Sequence, residues 1–148
     1  MNIRNLILIN LILMTLFSCE TQSEKDEEII LNYLNEHNLD ATKHESGLYY
    51  IINEEGTGSN PQLSNKIEIK YKGYLIDGTI FDQTTDTTAQ FYLNQLIEGW
   101  QIGIQMLKKG GKQTLFIPSE LGYGEESISI IPANSVLIFD IELINFEP

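Results

Sequence analysis

The residue types that could do covalent or metal chemistry are few and scattered. His37 and His44 are the only histidines. They stand seven positions apart, and a metal site would need further ligands at convergent positions. They read as surface residues, and no metal and no cofactor is expected. Cys19 is the only cysteine, which excludes an intramolecular disulfide, a CxxC redox pair and a Cys-rich zinc site. No other residue type points to covalent or metal chemistry by its spacing: Phe81, Ile97, Trp100 and Phe139 are large and apolar, and Asp82 and Tyr123 are single polar groups among many. By themselves these allow two readings. The apolar set serves a packed core as well as a pocket wall. Asp82 suits a turn acid accepting local N–H groups, and Tyr123, between Gly122 and Gly124, suits a loop.

The elements that must position these residues are legible from periodicity. Gly47 to Ile52 is rich in aromatic and β-branched residues and is followed by the turn Gly56-Thr57-Gly58. Lys66 to Lys72 alternates strictly, with Ile67, Ile69 and Tyr71 on one face. Asp77-Gly78 marks a hairpin between 74–76 and 79–81. Gln113 to Ile117 reads as a strand. Val136 to Phe146 reads as the last strand, with Leu137, Phe139, Ile141 and Leu143 on one face. Ile97, Trp100, Ile104 and Leu107 predict a helix over 97–107, with Lys108-Lys109 favouring its C-terminal dipole and Gly110-Gly111 ending it. The pattern predicts an α+β domain over 46–148, an antiparallel sheet with one face on a short helix.

The segment before it is different in kind. Arg4 is followed by an apolar run from Leu6 to Phe17, 12 residues long. That falls short of the roughly 20 residues of a membrane-spanning helix and fits a signal peptide. Leu16-Phe17-Ser18-Cys19 resembles a bacterial lipobox, in which the Cys becomes the acylated first residue. Residues 1–18 are therefore expected to be a lipoprotein-type signal peptide and Cys19 the lipidation site. Residues 19–45 are expected to be an acidic tether with a short helix over 24–37, capped by Ser23 with Asp26 and docked by Ile29, Ile30, Tyr33 and Leu34. The chain has 9 basic and 21 acidic residues, a formal net charge of −12. Without a basic stripe, nucleic acid is excluded as a partner.

Several strings between 46 and 148 resemble the FKBP family of peptidyl-prolyl isomerases, in family order and spacing. They are Tyr71-Lys72-Gly73, Asp77 to Asp82, Leu96 to Trp100, Gly103 with Met106, Ile117-Pro118, Leu121 to Gly124, Ile130 to Asn134 and Leu137 to Leu143. The resemblance implies a curved antiparallel β-sheet wrapped around a short α-helix, here with an additional N-terminal helix. It implies Trp100 as a pocket floor, with Tyr71, Phe81, Ile97, Tyr123, Ile131 and Phe139 as walls and Leu96 and Ile130 at the rim. Asp82, Tyr123, Trp100 and Phe139 are the catalytic set so implied. The Ile97 N–H and the Tyr123 hydroxyl are expected to bind substrate carbonyls.

The implied activity is isomerisation of X–Pro bonds in proline-containing unfolded or partly folded polypeptides. With the leader, this predicts a lipid-anchored protein of the cell envelope, at the outer membrane on its periplasmic or surface face. Two alternatives stay open: a chaperone-like binding module, and a lipoprotein of a larger envelope complex of the gliding-motility type. The sequence also departs from the family pattern. Ala89 stands where an aromatic often precedes Phe91 by two positions, so one wall is expected to be more open and macrolide inhibitors to bind weakly. Residues 82–88 lack the Arg that some members pair with the Asp, so Asp82 is expected to be less well held. Ile128 lies near where a His is common.

Overall fold

The computed structural model describes residues 20–147. The leader 1–18 and Cys19 lie outside the described residues. The first element is α1 (Gln22–Glu36), followed by β1 (Thr42–Lys43), β2 (Tyr49–Glu54), β3 (Lys66–Leu75), β4 (Ile80–Gln83) and β5 (Ala89–Tyr92). A 3-10 turn at Leu93–Gln95 leads to α2 (Glu98–Ile104) and β6 (Lys112–Ile117). A second 3-10 turn, Ser119–Leu121, precedes β7 (Leu137–Glu147). The strands form one antiparallel sheet in the order β1-β2-β6-β7-β3-β4, with β5 also pairing to β3.

Strand alternation gives the sheet two apolar faces. Ile67, Ile69, Leu115, Ile117, Leu137, Phe139, Ile141 and Leu143 point to the side covered by α2 and pack with Trp100, Ile104 and Leu107. Tyr49, Phe116 and Ile138 point to the other side, where Ile30 and Leu34 of α1 cover them. Full burial of side chains such as Ile30 and Phe116 contributes about 1.5–3 kcal/mol each. α2 lies very close to the sheet. A Cβ on Gly99 would sit 2.5 Å from Ile117 Cγ2, so glycine is required by contact at this crossing.

Several local expectations are corrected. α1 starts two residues earlier than expected, because its capping box is Thr21 with Glu24 and not Ser23 with Asp26. Glu24 N donates to Thr21 Oγ1, and Thr21 N donates to Glu24 Oε2. Asp26 is instead fully buried. α2 ends at Ile104, with no basic residue in its last turn. Lys108-Lys109 therefore does not complement its dipole. Gly110 and Gly111 shape the turn into β6, their N–H groups donating to Leu143 O and Lys108 O. Leu107 is buried all the same, on the turn that follows the helix.

α1 is tied to the sheet by polar contacts as well. Tyr49 Oη and Lys43 Nζ both donate to Glu27 Oε1. The Lys43 ammonium and the Tyr49 hydroxyl hold the Glu27 carboxyl below its usual range. His37 stacks on Tyr33 at the end of α1, and its Nδ1 lies 2.8 Å from Tyr33 O. His44 Nδ1 is engaged by Ser46. Among the described residues no helix is long and apolar enough to cross a membrane.

Candidate functional site

One face of the sheet, the start of α2 and the β6–β7 connection line an open cavity of about 320 Å3, within the range of small-ligand sites. Tyr71 comes from β3, Phe81 and Asp82 from β4, Phe91 from β5 and Phe139 from β7. Leu96, Ile97 and Trp100 come from the approach to α2 and its first turn. Tyr123 and residues 128–131 come from the long connection between β6 and β7. Phe81 and Asp82 are sequence neighbours and would ordinarily face opposite sides of a strand. A register shift resolves this: Gly73 pairs with Asp82 but Tyr74 pairs with Ile80, leaving Phe81 as the extra residue of a bulge.

The aromatic rings meet edge to face. Trp100 lies 4.9 Å from Phe139 and 5.1 Å from Tyr71 between ring centroids, at interplanar angles of 81° and 79°. Phe81 meets Phe139 at 5.4 Å and 81°, and Phe91 meets Trp100 at 6.3 Å and 78°. Such pairs add about 0.5–1.5 kcal/mol each beyond their burial. They also set the orientation of each ring relative to its neighbours. Trp100 is nearly buried, and its Nε1–H has no partner among the described residues.

Four polar groups serve this apolar box: Tyr71, Asp82, Tyr123 and the Ile97 N–H. Tyr71 Oη donates a 2.6 Å hydrogen bond to Asp82 Oδ2. Asp82 is therefore held by a phenol, a role the sequence reading did not give Tyr71. The Tyr123 hydroxyl has no hydrogen-bond partner among the described residues. Its pKa is pushed up by burial and by the nearby charge of Asp82. Burial first, and then Asp82, raise that of Tyr71 as well. Both shifts favour the protonated phenol. Ile97 caps α2 and accepts from Trp100 N and Gln101 N, while its own N–H makes no hydrogen bond among the described residues.

All of the expected pocket residues come to this one cavity: Tyr71, Phe81, Asp82, Leu96, Ile97, Trp100, Tyr123, Ile130, Ile131 and Phe139. Phe91, Ile128 and Ser129 also line it and were not expected. Phe91 was legible in the alternation of β5, where it shares a face with Ala89; Ala89 itself does not line the cavity. Ile128 and Ser129 carry no such signal. Ile128 and Ile131 exchange backbone hydrogen bonds around Ser129 and Ile130, and Ser129 has a φ of 54° without being Gly or Asn. The tip leaves Ile130 54% exposed while Ile131 is buried.

Comparison with known proteins agrees with this geometry. Residues 57–144 match the family described as FKBP-type peptidyl-prolyl cis-trans isomerase. The FKBP-type peptidyl-prolyl cis-trans isomerase FkpA of Aeromonas hydrophila is 46% identical over 105 residues, which are 70% of this chain and 39% of that protein. The chain thus spans less than half the length of the curated relatives it matches. The crystal structure of FkpA from Escherichia coli superposes with a TM-score of 0.76 at 37% identity, covering 85% of this chain and 61% of that one. A peptidyl-prolyl cis-trans isomerase from Pseudomonas syringae superposes with a TM-score of 0.73 at 30% identity, covering 85% and 96%. In sequence and in fold, this chain belongs to the FKBP-type peptidyl-prolyl cis-trans isomerase family.

Proposed function

We propose that this protein catalyses cis–trans isomerisation of X–Pro bonds in exported or envelope polypeptides. The observation that carries the reading is the pairing of an aromatic-walled cavity with hydrogen-bond donors at its edge. Rotation about an amide faces a barrier of about 18–20 kcal/mol, because resonance is broken. No bond to the enzyme is required. The twisted amide is less dipolar than either planar isomer, so a box from which water is excluded favours the transition state over the ground state. A thousandfold acceleration needs about 4 kcal/mol.

The residues divide the task. The pyrrolidine ring sits over Trp100, between Phe139, Phe81 and Tyr71. The Tyr123 hydroxyl and the Ile97 N–H bind carbonyls of the substrate backbone and hold it while the amide turns. Asp82, fixed by Tyr71, faces the rotating amide and responds to its changing charge. Ile130, Ile131 and Leu96 contact the residues flanking the proline. Phe91 closes the wall beside Tyr71. Macrolide inhibitors bind weakly in this reading, because Ala89 contributes nothing to the wall.

Acylation of Cys19, after removal of 1–18, anchors the protein in the cell envelope. Two acyl chains suffice for stable attachment, and residues 20–21 then lead directly into α1. The exposed Ile128 and Ile130 favour a second reading, in which the same pocket and its rim mainly hold unfolded or partner chains. The deciding experiment is a proline-limited refolding reaction with the full chain and with its Asp82→Leu variant. Acceleration lost in the variant is the expected result. A folded protein that binds the unfolded chain without accelerating its refolding overturns the isomerase reading and leaves the holding one. Cys19→Ser abolishes incorporation of labelled palmitate if the anchor is as proposed.

A further inference from the structure

The buried stripe of α1 is Asp26, Ile30 and Leu34. Two members are what a docked helix requires; the carboxylate is not. Burying a charge is costly unless hydrogen bonds replace its hydration. Here they do. Asp26 Oδ2 accepts from Ser119 N at 2.8 Å and from Ser119 Oγ at 2.6 Å, and Oδ1 accepts from Gln22 Nε2 at 2.7 Å. The sequence separation between Asp26 and Ser119 is 93 residues. Both Asp26 and Gln22 lie outside the 57–144 segment shared with the family.

Ser119 is not a passive anchor point. It opens the 3-10 turn that delivers Tyr123. Its carbonyl accepts from Gly122 N at 2.9 Å and from Gly124 N at 2.8 Å, the residues on either side of Tyr123. The Gly124 carbonyl accepts in turn from Asn134 N at 2.7 Å. An unbroken series of hydrogen bonds thus runs from α1 to the backbone that aims the Tyr123 phenol into the cavity. We propose that Asp26 is a positioning residue of the isomerase site: through Ser119, α1 fixes the loop from which Tyr123 meets the substrate. The appended helix is then part of the working site and not only a spacer behind the lipid anchor.

The proposal rests on the isomerase reading, and its test separates the two. Asp26→Ala and Asp26→Asn are made in the full chain, alone and in a Tyr123→Phe background. kcat/KM is measured on a Leu-Pro tetrapeptide. Affinity for the same peptide is followed by the fluorescence of Trp100, the only tryptophan. Asp26→Ala is expected to lower kcat/KM by about fivefold when Tyr123 is present and by less than about twofold in the Tyr123→Phe background, since residues sharing one network are non-additive. Asp26→Asn keeps an acceptor for Ser119 and stays within about twofold of wild type. Equal losses in both backgrounds, or an Asn variant as impaired as the Ala variant, overturn the proposal. If Asp26→Ala does not fold, Ser119→Ala in the two backgrounds gives the same comparison at smaller amplitude. If wild type binds the peptide without turnover, the isomerase reading fails, and the same non-additivity in affinity still decides the role of Asp26.

Discussion

The Tyr71 phenol donates a 2.6 Å hydrogen bond to the Asp82 carboxylate at the mouth of the cavity. This bond holds the acid that the sequence leaves without an arginine partner. A phenol suits the position better than a cation would, because it orients the carboxylate without neutralising it. Tyr71→Phe keeps the ring packed on Trp100 and removes only the bond. Its worth at a partly exposed site is about 1 kcal/mol, so kcat/KM is expected to fall about fivefold with the fold intact. A peptide isomerisation assay beside a denaturation curve checks both halves. Unchanged kcat/KM would remove the bond from the mechanism.

Gly73 sets the spacing of two wall aromatics. A Cβ at this position would lie 2.5 Å from Phe81 Cε2 and 2.6 Å from Phe139 Cε1. Gly73→Ala must push at least one ring out of its edge-to-face contact. The expected cost in stability is about 1–3 kcal/mol. The expected loss in kcat/KM is about tenfold, in line with the cost of small displacements in a site that works by fit. Urea denaturation and the peptide assay measure the two effects separately.

Ile130 tests the contribution of the rim. It is more than half exposed at the tip of the turn, so Ile130→Ser is expected to alter stability by less than about 0.5 kcal/mol. Partial burial against a large apolar residue before the proline is worth about 1 kcal/mol. The ratio of kcat/KM for Leu-Pro over Ala-Pro peptides is therefore expected to drop about fivefold. An unchanged ratio would place flanking-residue selection elsewhere.

Alkaline titration reports the partly buried phenols. Burial, with the charges of Asp82 and Asp140, raises the pKa values of Tyr71 and Tyr74, and burial with Asp82 raises that of Tyr123. Folding therefore favours the protonated phenols. That stabilisation is complete below the ordinary tyrosine value of about 10 and is lost as the pH rises beyond it, toward the folded-state values. Lys43 and Lys112, raised by Glu27 and Glu54, act in the same direction. Stability from urea melts is expected to fall between pH 10 and 11.5. Phenolate absorbance should show Tyr71 and Tyr74 ionising at higher pH than freely exposed tyrosines.

The sequence by itself determined the fold class and most of the cavity. Strict alternation in 66–72 and 137–143 assigned the inward residues, because a pleated strand leaves them no other side. The helical spacing of Ile97, Trp100 and Ile104 placed the floor residue on the packed face of α2. Family-like strings then gathered Asp82 and Tyr123 with the aromatics. Local rules were ambiguous where two frames competed. Thr21 with Glu24 and Ser23 with Asp26 both have capping-box spacing. The choice fell to Asp26 being drawn to Ser119, far along the chain. Only the tertiary structure decided that contact, the bulge that turns Phe81 and Asp82 into one cavity, the phenol that holds Asp82, and the turn that brings Ile128 and Ser129 to the cavity wall. Each depends on which groups are brought together after burial, and hydrogen bonds between distant residues leave no period in the sequence that precedes them.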